Sequence, residues 1–294
     1  MSLNLKAETK GALLAFTGAM FIVPDSIYVR MIDGDGLVTA FWRNVIAGLA
    51  IALMLLMTSK GSAKKTFSTI SKVGAWYAIC VSVSSISFVI AVSNTSIASV
   101  LYILAAMPVF TAILGKVFLN DAVDKAFSVV MVFVLLGLGL IAFNSNSSSL
   151  NSAFGNAMAF ITMLGFSISV TLARKEKARS MLPALSIGLL LSGVVLVMFI
   201  DPFQFFLHKP ALYLLHGVTL AIAVSALAQA ARYTKGSVVT LFMLLEAALA
   251  PIVAWIIFSE YPGDAVIAGG FLVMMAVAIY GVWSIKKFSI LNRW

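Results

Sequence analysis

The chain has 294 residues, of which 62% are apolar and only 11% are charged, and its mean hydropathy is +1.06. A soluble domain cannot bury so much apolar surface in one core, so the composition excludes that class and indicates a polytopic membrane protein. The formal net charge of +9 does not indicate a nucleic-acid partner, because Lys and Arg stand in short loops between apolar segments.

Ten apolar segments follow one another along the chain, each close to the roughly 20 residues that a helix needs to cross a membrane. We predict an all-α fold, because lipid cannot satisfy backbone polar groups. The first segment contains Asp25 and is too long for the apolar part of a cleaved signal peptide. The predicted spans are residues 11–32, 36–58, 73–92, 95–119, 126–144, 153–173, 183–201, 211–231, 236–259 and 264–285.

The fourth and ninth segments resemble each other at a constant offset of 139 residues, which aligns Thr95 with Thr234 and Pro108 with Ala247. Each half holds an odd number of segments, so the second half must enter the membrane in the opposite orientation. Inverted repeats of this kind are typical of secondary transporters. We therefore predict a first five-helix repeat over 1–143, an external polar linker over 144–152 and a second, inverted repeat over 153–294.

The basic residues predict the orientation. With ten spans, seventeen Lys and Arg residues fall on one side, whereas only Arg30 and Lys209 fall on the other and Arg43 lies inside a span. Basic residues concentrate on the cytoplasmic side of membrane proteins. Both termini are therefore expected to be cytoplasmic.

Four ionisable residues inside spans are candidates for function, because such residues are costly in a membrane. One of them, Lys116, lies about one turn from the end of the fourth span, where a long side chain can reach the interface instead. Glu246 lies in the middle of the ninth span, where it should be uncharged unless paired. It could carry a proton or bind a cationic group, or form a structural hydrogen bond. Asp25 and Arg43 lie at similar depth on adjacent spans, which predicts an ion pair that either clamps two helices or contacts substrate.

Proline interrupts spans one, four and nine at Pro24, Pro108 and Pro251. Proline removes a backbone hydrogen bond and kinks a helix, and broken helices in both halves of a transporter point to the binding site. Polar and aromatic residues near these kinks could line a cavity, although each could also pack or belong to an interface belt. They are Tyr28, Trp42, Asn94, Ser99, Tyr102 and Gln229, with Asn44 and Thr240, and with Trp76, Tyr77 and His216 as weaker candidates.

The sequence predicts no metal site, no cofactor and no enzyme. Cys80 is alone, His208 and His216 have no ligand spacing, and no phosphate-binding loop or catalytic cluster is found. Small residues such as Gly137 and Gly269 predict close helix contacts, either between the repeats or in a homodimer.

Several motifs are similar to those of a known family. They are the segment from Lys10 to Ala15, Arg43 in the second helix, the stretch from Phe88 through Met107-Pro108, and Leu245-Glu246 in the ninth helix. With these motifs the chain resembles the EamA-type branch of the drug/metabolite transporter superfamily. Three positions depart from that pattern: Ala247 after the glutamate, Asp121 after the fourth helix, and Val23-Pro24-Asp25 in the first.

The resemblance implies ten helices in two inverted repeats, a central cavity lined by helices one, three, four, six, eight and nine, and the inner membrane of a bacterium. Members of the family move small metabolites, often amino acids outward. We therefore expect a secondary exporter of small zwitterionic metabolites such as amino acids, working by alternating access, with proton coupling through Glu246 as a hypothesis. The alternatives are a carrier of cationic drugs or nucleoside-like cofactors and, from another class, a membrane-bound enzyme or scaffold.

Overall fold

The computed structural model of the chain describes residues 2–58, 67–68, 70–95, 97–144, 153–204, 206–259 and 263–291. These residues form helices and connecting turns, with no strand among them, so the predicted all-α class is confirmed. Thirteen α-helices lie within the described ranges. They are α1 (Ser2–Ile22), α2 (Asp25–Ile32), α3 (Gly36–Thr58), α4 (Lys72–Asn94), α5 (Ile97–Leu104), α6 (Met107–Leu119), α7 (Lys125–Asn144), α8 (Ala153–Lys175), α9 (Leu182–Leu196), α10 (Pro210–Tyr233), α11 (Gly236–Met243), α12 (Leu245–Phe258) and α13 (Asp264–Leu291).

Helices occupy all ten of the apolar segments that the sequence marks. Six stretches in the described ranges are long and apolar enough to cross a membrane, at 7–32, 36–58, 72–94, 153–175, 210–233 and 236–258. Four shorter apolar helical stretches lie at 107–119, 125–137, 182–196 and 267–280. The protein is therefore a multi-pass membrane protein, while most of the linker predicted at 144–152 lies outside the described residues.

Three of the predicted spans are each divided into two helices. The first is interrupted at Val23 and Pro24, and the fourth at Ala105 and Ala106, directly before Pro108. The ninth is interrupted at Leu244 rather than at Pro251, and α12 continues through position 251. The side chain of Pro251 itself lies outside the described residues.

The breaks in the fourth and ninth spans have the same hydrogen-bond pattern. The Ala106 amide donates to the Ile103 carbonyl, and the Leu244 amide donates to the Leu241 carbonyl, both at 3.2 Å. Each bond spans three residues rather than the four of an α-helix, which tightens the turn locally. The offset of 139 residues carries Ala105 onto Leu244. The ninth span therefore keeps the break of the fourth within one residue, without a proline beside it.

Helix pairing is regular across the molecule. The most extensive contacts join α4 to α8, α1 to α10, α7 to α13, and α3 to α9. The α7–α13 contact depends on glycine, since a Cβ added at Gly137 would lie 2.7 Å from the carbonyl oxygen of Gly269. The predicted close packing of small residues therefore occurs within the chain at this pair.

The interior of the bundle contains polar and charged side chains, while many large apolar side chains are exposed on its outside. Met57, Ile113, Val194, Ile256 and Phe271 are among the exposed apolar residues. The buried polar set includes Asp25, Arg43, Asn44, His216 and Glu246. This distribution suits a protein surrounded by lipid, because charged groups in a membrane face the bundle interior.

Candidate functional site

Two buried carboxylates lie at the amino ends of half-helices. Asp25 is in the first turn of α2 and Glu246 is in the first turn of α12. The two side chains belong to residues that are only 3% and 6% exposed. A helix amino end carries a partial positive charge from its free N–H groups, so this position favours an anion. The helix breaks thus explain how both carboxylates can be placed inside the bundle.

Asp25 forms a bidentate ion pair with Arg43 of α3. Arg43 Nε donates to Asp25 Oδ1 at 2.9 Å, and Arg43 Nη2 donates to Asp25 Oδ2 at 2.7 Å. The pair that the sequence predicts from equal depth on adjacent spans is therefore present in the structure. Two parallel bonds of this kind fix direction as well as distance.

The third nitrogen of the Arg43 guanidinium ties α3 to α4. Nη1 donates to Asn44 Oδ1 at 3.1 Å and to Ser85 Oγ at 3.0 Å, and Ser85 Oγ donates to Asn44 Oδ1 at 2.6 Å. The guanidinium carbon also lies 5.4 Å from the centre of the Phe88 ring. Sequence reasoning did not single out Ser85. A serine in an apolar span is too common to signal a role, because it can bond to its own helix.

His216 of α10 completes this group, which we call the Asp25–Arg43–His216 cluster. Its Nε2 lies 2.7 Å from Asp25 Oδ1, and its ring lies 5.3 Å from that of Tyr28. The residue is fully buried, and its Nδ1 has no hydrogen-bond partner among the described residues. The sequence interpretation treated His216 as a weak candidate because no acid stands at ligand spacing along the chain. Depth was the useful signal, since His216 lies near the same end of its span as Asp25 and Arg43 do.

Glu246 lies beside this cluster but differs from Asp25 in its hydrogen bonding. Its Oε1 is buried without a hydrogen-bond partner among the described residues. Glu246 nevertheless lines one cavity together with Asp25 and Arg43. A buried acceptor without a donor is costly, so the site is suited to a proton or a donor group supplied from outside.

Two chambers meet at Arg43. The outer chamber contains the Asp25 and Glu246 side chains between apolar walls such as Leu104 and Leu244. The inner chamber extends towards the helix ends rich in Lys and Arg, with Tyr77, Ser85 and Ser169 among its polar residues. Three residues line both chambers: Arg43, Phe166 and Met243.

Neither chamber is lined by four of the predicted binding residues, which are Tyr28, Trp42, Asn94 and Gln229. Trp42 directs its ring towards the loop after α9, where Nε1 donates to the Pro202 carbonyl at 2.6 Å. Successive helical residues point about 100° apart, which directs Trp42 away from its neighbour Arg43. Gln229 donates to Ser180 Oγ at 3.2 Å near the other end of the bundle. Asn94 ends α4, and its amide nitrogen donates to the Ile90 carbonyl of its own helix at 2.8 Å.

The remaining predicted binding residues are Tyr28, Ser99 and Tyr102. Tyr28 contacts the cluster through His216, as described above. The side chains of Ser99 and Tyr102 lie outside the described residues, and their predicted roles stay predictions. Within the described ranges, no three His, Cys, Asp or Glu side chains group together as metal ligands would.

Comparison with known proteins shows a shared fold and a family match over part of the chain. One solved structure, described only as "Crystal structure of protein", aligns with a TM-score of 0.78 at 11% identity, over 94% of this chain and 98% of the other. At that identity the likeness shows a shared fold. Residues 9–143 match the EamA-like transporter family, part of the drug/metabolite transporter superfamily, and the predicted resemblance is confirmed. A search among curated proteins found no significant match.

The match over residues 9–143 supports the general class of membrane transporters, since EamA-like proteins are transporters of small molecules in a lipid environment.

Proposed function

We propose that the protein exports small zwitterionic metabolites, such as amino acids, across the inner membrane by alternating access. The observation that carries the proposal is the position of the Arg43–Asp25 ion pair, with Arg43 between two chambers. Arg43 lines both chambers and can be reached from either of them, and opposite charges match the two ends of a zwitterion.

The proposed architecture is two inverted five-helix repeats with both termini in the cytoplasm. Under that scheme α4 and α10 are equivalent, and so are α8 and the α1–α2 span. The α4–α8 and α1–α10 contacts are then one contact made twice, and both are extensive. The shared break at Ala105–Ala106 and Leu244 and the one-sided distribution of Lys and Arg also support the scheme.

Alternating access would use the broken helices as hinges. The breaks in the first, fourth and ninth spans all lie beside the outer chamber, which Ile22, Leu104, Met107 and Leu244 help to line. A break lacks part of the regular helical hydrogen bonding and can absorb a change of backbone angles. Rocking of the two repeats at these points would open one chamber while closing the other.

Charge and shape support a zwitterion with an apolar side chain. Its carboxylate would bind the Arg43 guanidinium, while its ammonium would bind Glu246, whose Oε1 lacks a partner among the described residues. The apolar walls of the outer chamber would cover its side chain. In a bidentate contact the substrate carboxylate would compete with Asp25 for the Arg43 guanidinium. This competition would link substrate binding to a change in the ion pair.

A second candidate is a carrier of amphipathic monocations, including cationic drugs. It is favoured by a specific observation: both oxygens of Asp25 already accept bonds from Arg43, which leaves Glu246 as the uncompensated acid of the outer chamber. A monocation with an apolar body would bind Glu246 and leave the ion pair intact.

Counterflow in proteoliposomes tests the proposal and separates the two candidates. Vesicles loaded with one unlabelled amino acid are given the labelled form with no ion gradient, and in parallel vesicles are tested with labelled tetraphenylphosphonium. We expect accumulation of at least one apolar amino acid, lost in Glu246→Gln and kept in the control Asp201→Asn, whose carboxylate is exposed. Accumulation of the phosphonium alone would reject the zwitterion and support the second candidate.

A further inference from the structure

We infer that His216 couples the binding of a substrate carboxylate at Arg43 to the uptake of one proton by the Asp25–His216 pair. The inference rests on the proposed transport of a substrate that carries a carboxylate. It concerns a residue to which neither the family match nor the fold likeness gives a role.

The hydrogen bonds define the starting state of His216. Asp25 Oδ1 accepts from Arg43 Nε at 2.9 Å and lies 2.7 Å from His216 Nε2. An ionised carboxylate only accepts hydrogen bonds, so Nε2 must carry a hydrogen. A second hydrogen on Nδ1 would be a buried donor with no partner among the described residues. The arrangement therefore fits a neutral imidazole with its hydrogen on Nε2.

The groups around His216 make the cluster neutral as a whole. Asp25 and Tyr28 face it from α2, and Arg43 of α3 reaches it through Asp25. Glu246 of α12 lines the chamber that Asp25 and Arg43 line. The cations that contact the far end of α10 are Lys10 of α1, at Tyr233, and Arg174 of α8, at the Arg232 carbonyl. Among these, Arg43 is the cation that balances Asp25.

A carboxylate that binds Arg43 upsets that balance. In a bidentate contact it takes the Nε and Nη2 donors that now bind Asp25, which leaves Asp25 ionised, buried and bonded to His216 alone. An unpaired buried charge is strongly unfavourable. A proton from water in the open chamber can bind Nδ1, which converts His216 to the imidazolium that Asp25 then balances. One N–H bond forms, and the added proton offsets the charge of the bound carboxylate. Release of the substrate reverses both steps.

Nitrogen NMR tests the starting state and the response directly. The chain has two histidines, and His208, exposed at the end of the short helical turn Phe206–His208, is an internal reference. In ¹⁵N-histidine-labelled protein near neutral pH, we expect His216 to show one protonated and one bare nitrogen, assigned with His208→Gln. Arg43→Gln removes the balancing cation, and both His216 nitrogens should then be protonated at the same pH. A doubly protonated His216 in the wild type, or a bare Nδ1 in folded Arg43→Gln, would overturn the inference.

A transport measurement decides the matter if Arg43→Gln does not fold. Proteoliposomes with an external pH dye and labelled phenylalanine give the ratio of protons to phenylalanine moved, which does not depend on the rate. We expect the ratio in the wild type to exceed the ratio in His216→Gln by about one proton per phenylalanine, because glutamine keeps a donor but cannot gain a proton, whereas any proton that Glu246 exchanges is common to both. An unchanged ratio in His216→Gln would reject the coupling role. If no amino acid is moved at all, the proposed function fails, while the NMR result still decides the protonation of His216.

Discussion

The two buried carboxylates of this protein occupy equivalent places on their helices but differ in their surroundings. Asp25 and Glu246 each lie in the first turn of a half-helix and each line the outer chamber. Asp25 receives donors from Arg43 and His216, whereas Glu246 keeps one buried oxygen without a partner among the described residues. Two half-helix amino ends thus place two acids at a single cavity, one with hydrogen-bond donors on both oxygens and one with a buried oxygen that lacks a donor among the described residues.

The difference in hydrogen bonding predicts that Asp25 matters for stability and Glu246 for substrate binding. Removing one member of a satisfied buried pair leaves the other charge unbalanced, and the fold suffers. Neutralising an acid whose buried oxygen has no partner among the described residues removes a cost, so only binding should suffer. The comparison therefore predicts that stability and transport respond differently to mutation at the two positions.

The largest effect is expected for Asp25→Asn. It leaves the Arg43 guanidinium buried without its counter-charge, which typically costs about 3–5 kcal/mol. Thermal unfolding of detergent-purified protein should show a clear loss of stability relative to wild type and to Asp201→Asn. The double variant Asp25→Asn/Arg43→Gln should recover part of the loss, because no unpaired charge remains. A single variant as stable as the wild type would show that the pair does not hold the helices together.

Glu246→Gln should impair transport with little effect on stability, whereas the main effect of Asp25→Asn is on stability. The amide is isosteric and neutral, so we expect unfolding free energy to change by less than about 1 kcal/mol. Counterflow should fall by at least tenfold, because the ammonium of the substrate loses its charged acceptor, a contact that is stronger than a neutral hydrogen bond. Transport with unchanged rate and unchanged pH dependence would exclude Glu246 from both substrate binding and proton coupling.

Segments and depths were predictable from the sequence, while rotation about each helix was not. Length and apolarity predicted an all-α fold with helices in the apolar segments, and equal depth predicted the Asp25–Arg43 contact. The same argument applied to His216 would have placed it with them. Trp42 shows the limit, since it shares the depth of Arg43 yet bonds to the Pro202 carbonyl outside the chambers. Which face of a helix meets a cavity depends on packing between helices that are distant in sequence.

The break of the ninth span shows a second limit of the same kind. Proline is the strongest local signal for a kink, and it pointed to Pro251. The break instead lies at Leu244, at the position that the repeat shares with Ala105. The offset of 139 residues was the better guide, since it carries Ala105 onto Leu244.

A smaller effect is expected where neither carboxylate is involved. Gly137→Ala places a methyl group 2.7 Å from the Gly269 carbonyl oxygen in the α7–α13 contact. Overpacking of this kind costs about 1–3 kcal/mol, so thermal stability should fall while substrate selectivity is kept. Gly139→Ala is the matched control, since a Cβ there would meet nothing within 4 Å among the described residues. Equal losses in both variants would mean that the α7–α13 contact is not close-packed at Gly137.

The smallest effect should come from Trp42→Phe, directly beside Arg43. The substitution keeps an aromatic ring near Phe206, which now stacks on the Trp42 ring at 4.0 Å, and removes the bond to the Pro202 carbonyl. One neutral hydrogen bond contributes about 1 kcal/mol, so stability should fall slightly and counterflow should stay within about twofold of wild type. A loss of transport as large as that of Glu246→Gln would place Trp42 in the substrate path. The substrate path would then extend beyond the two chambers to the loop after α9.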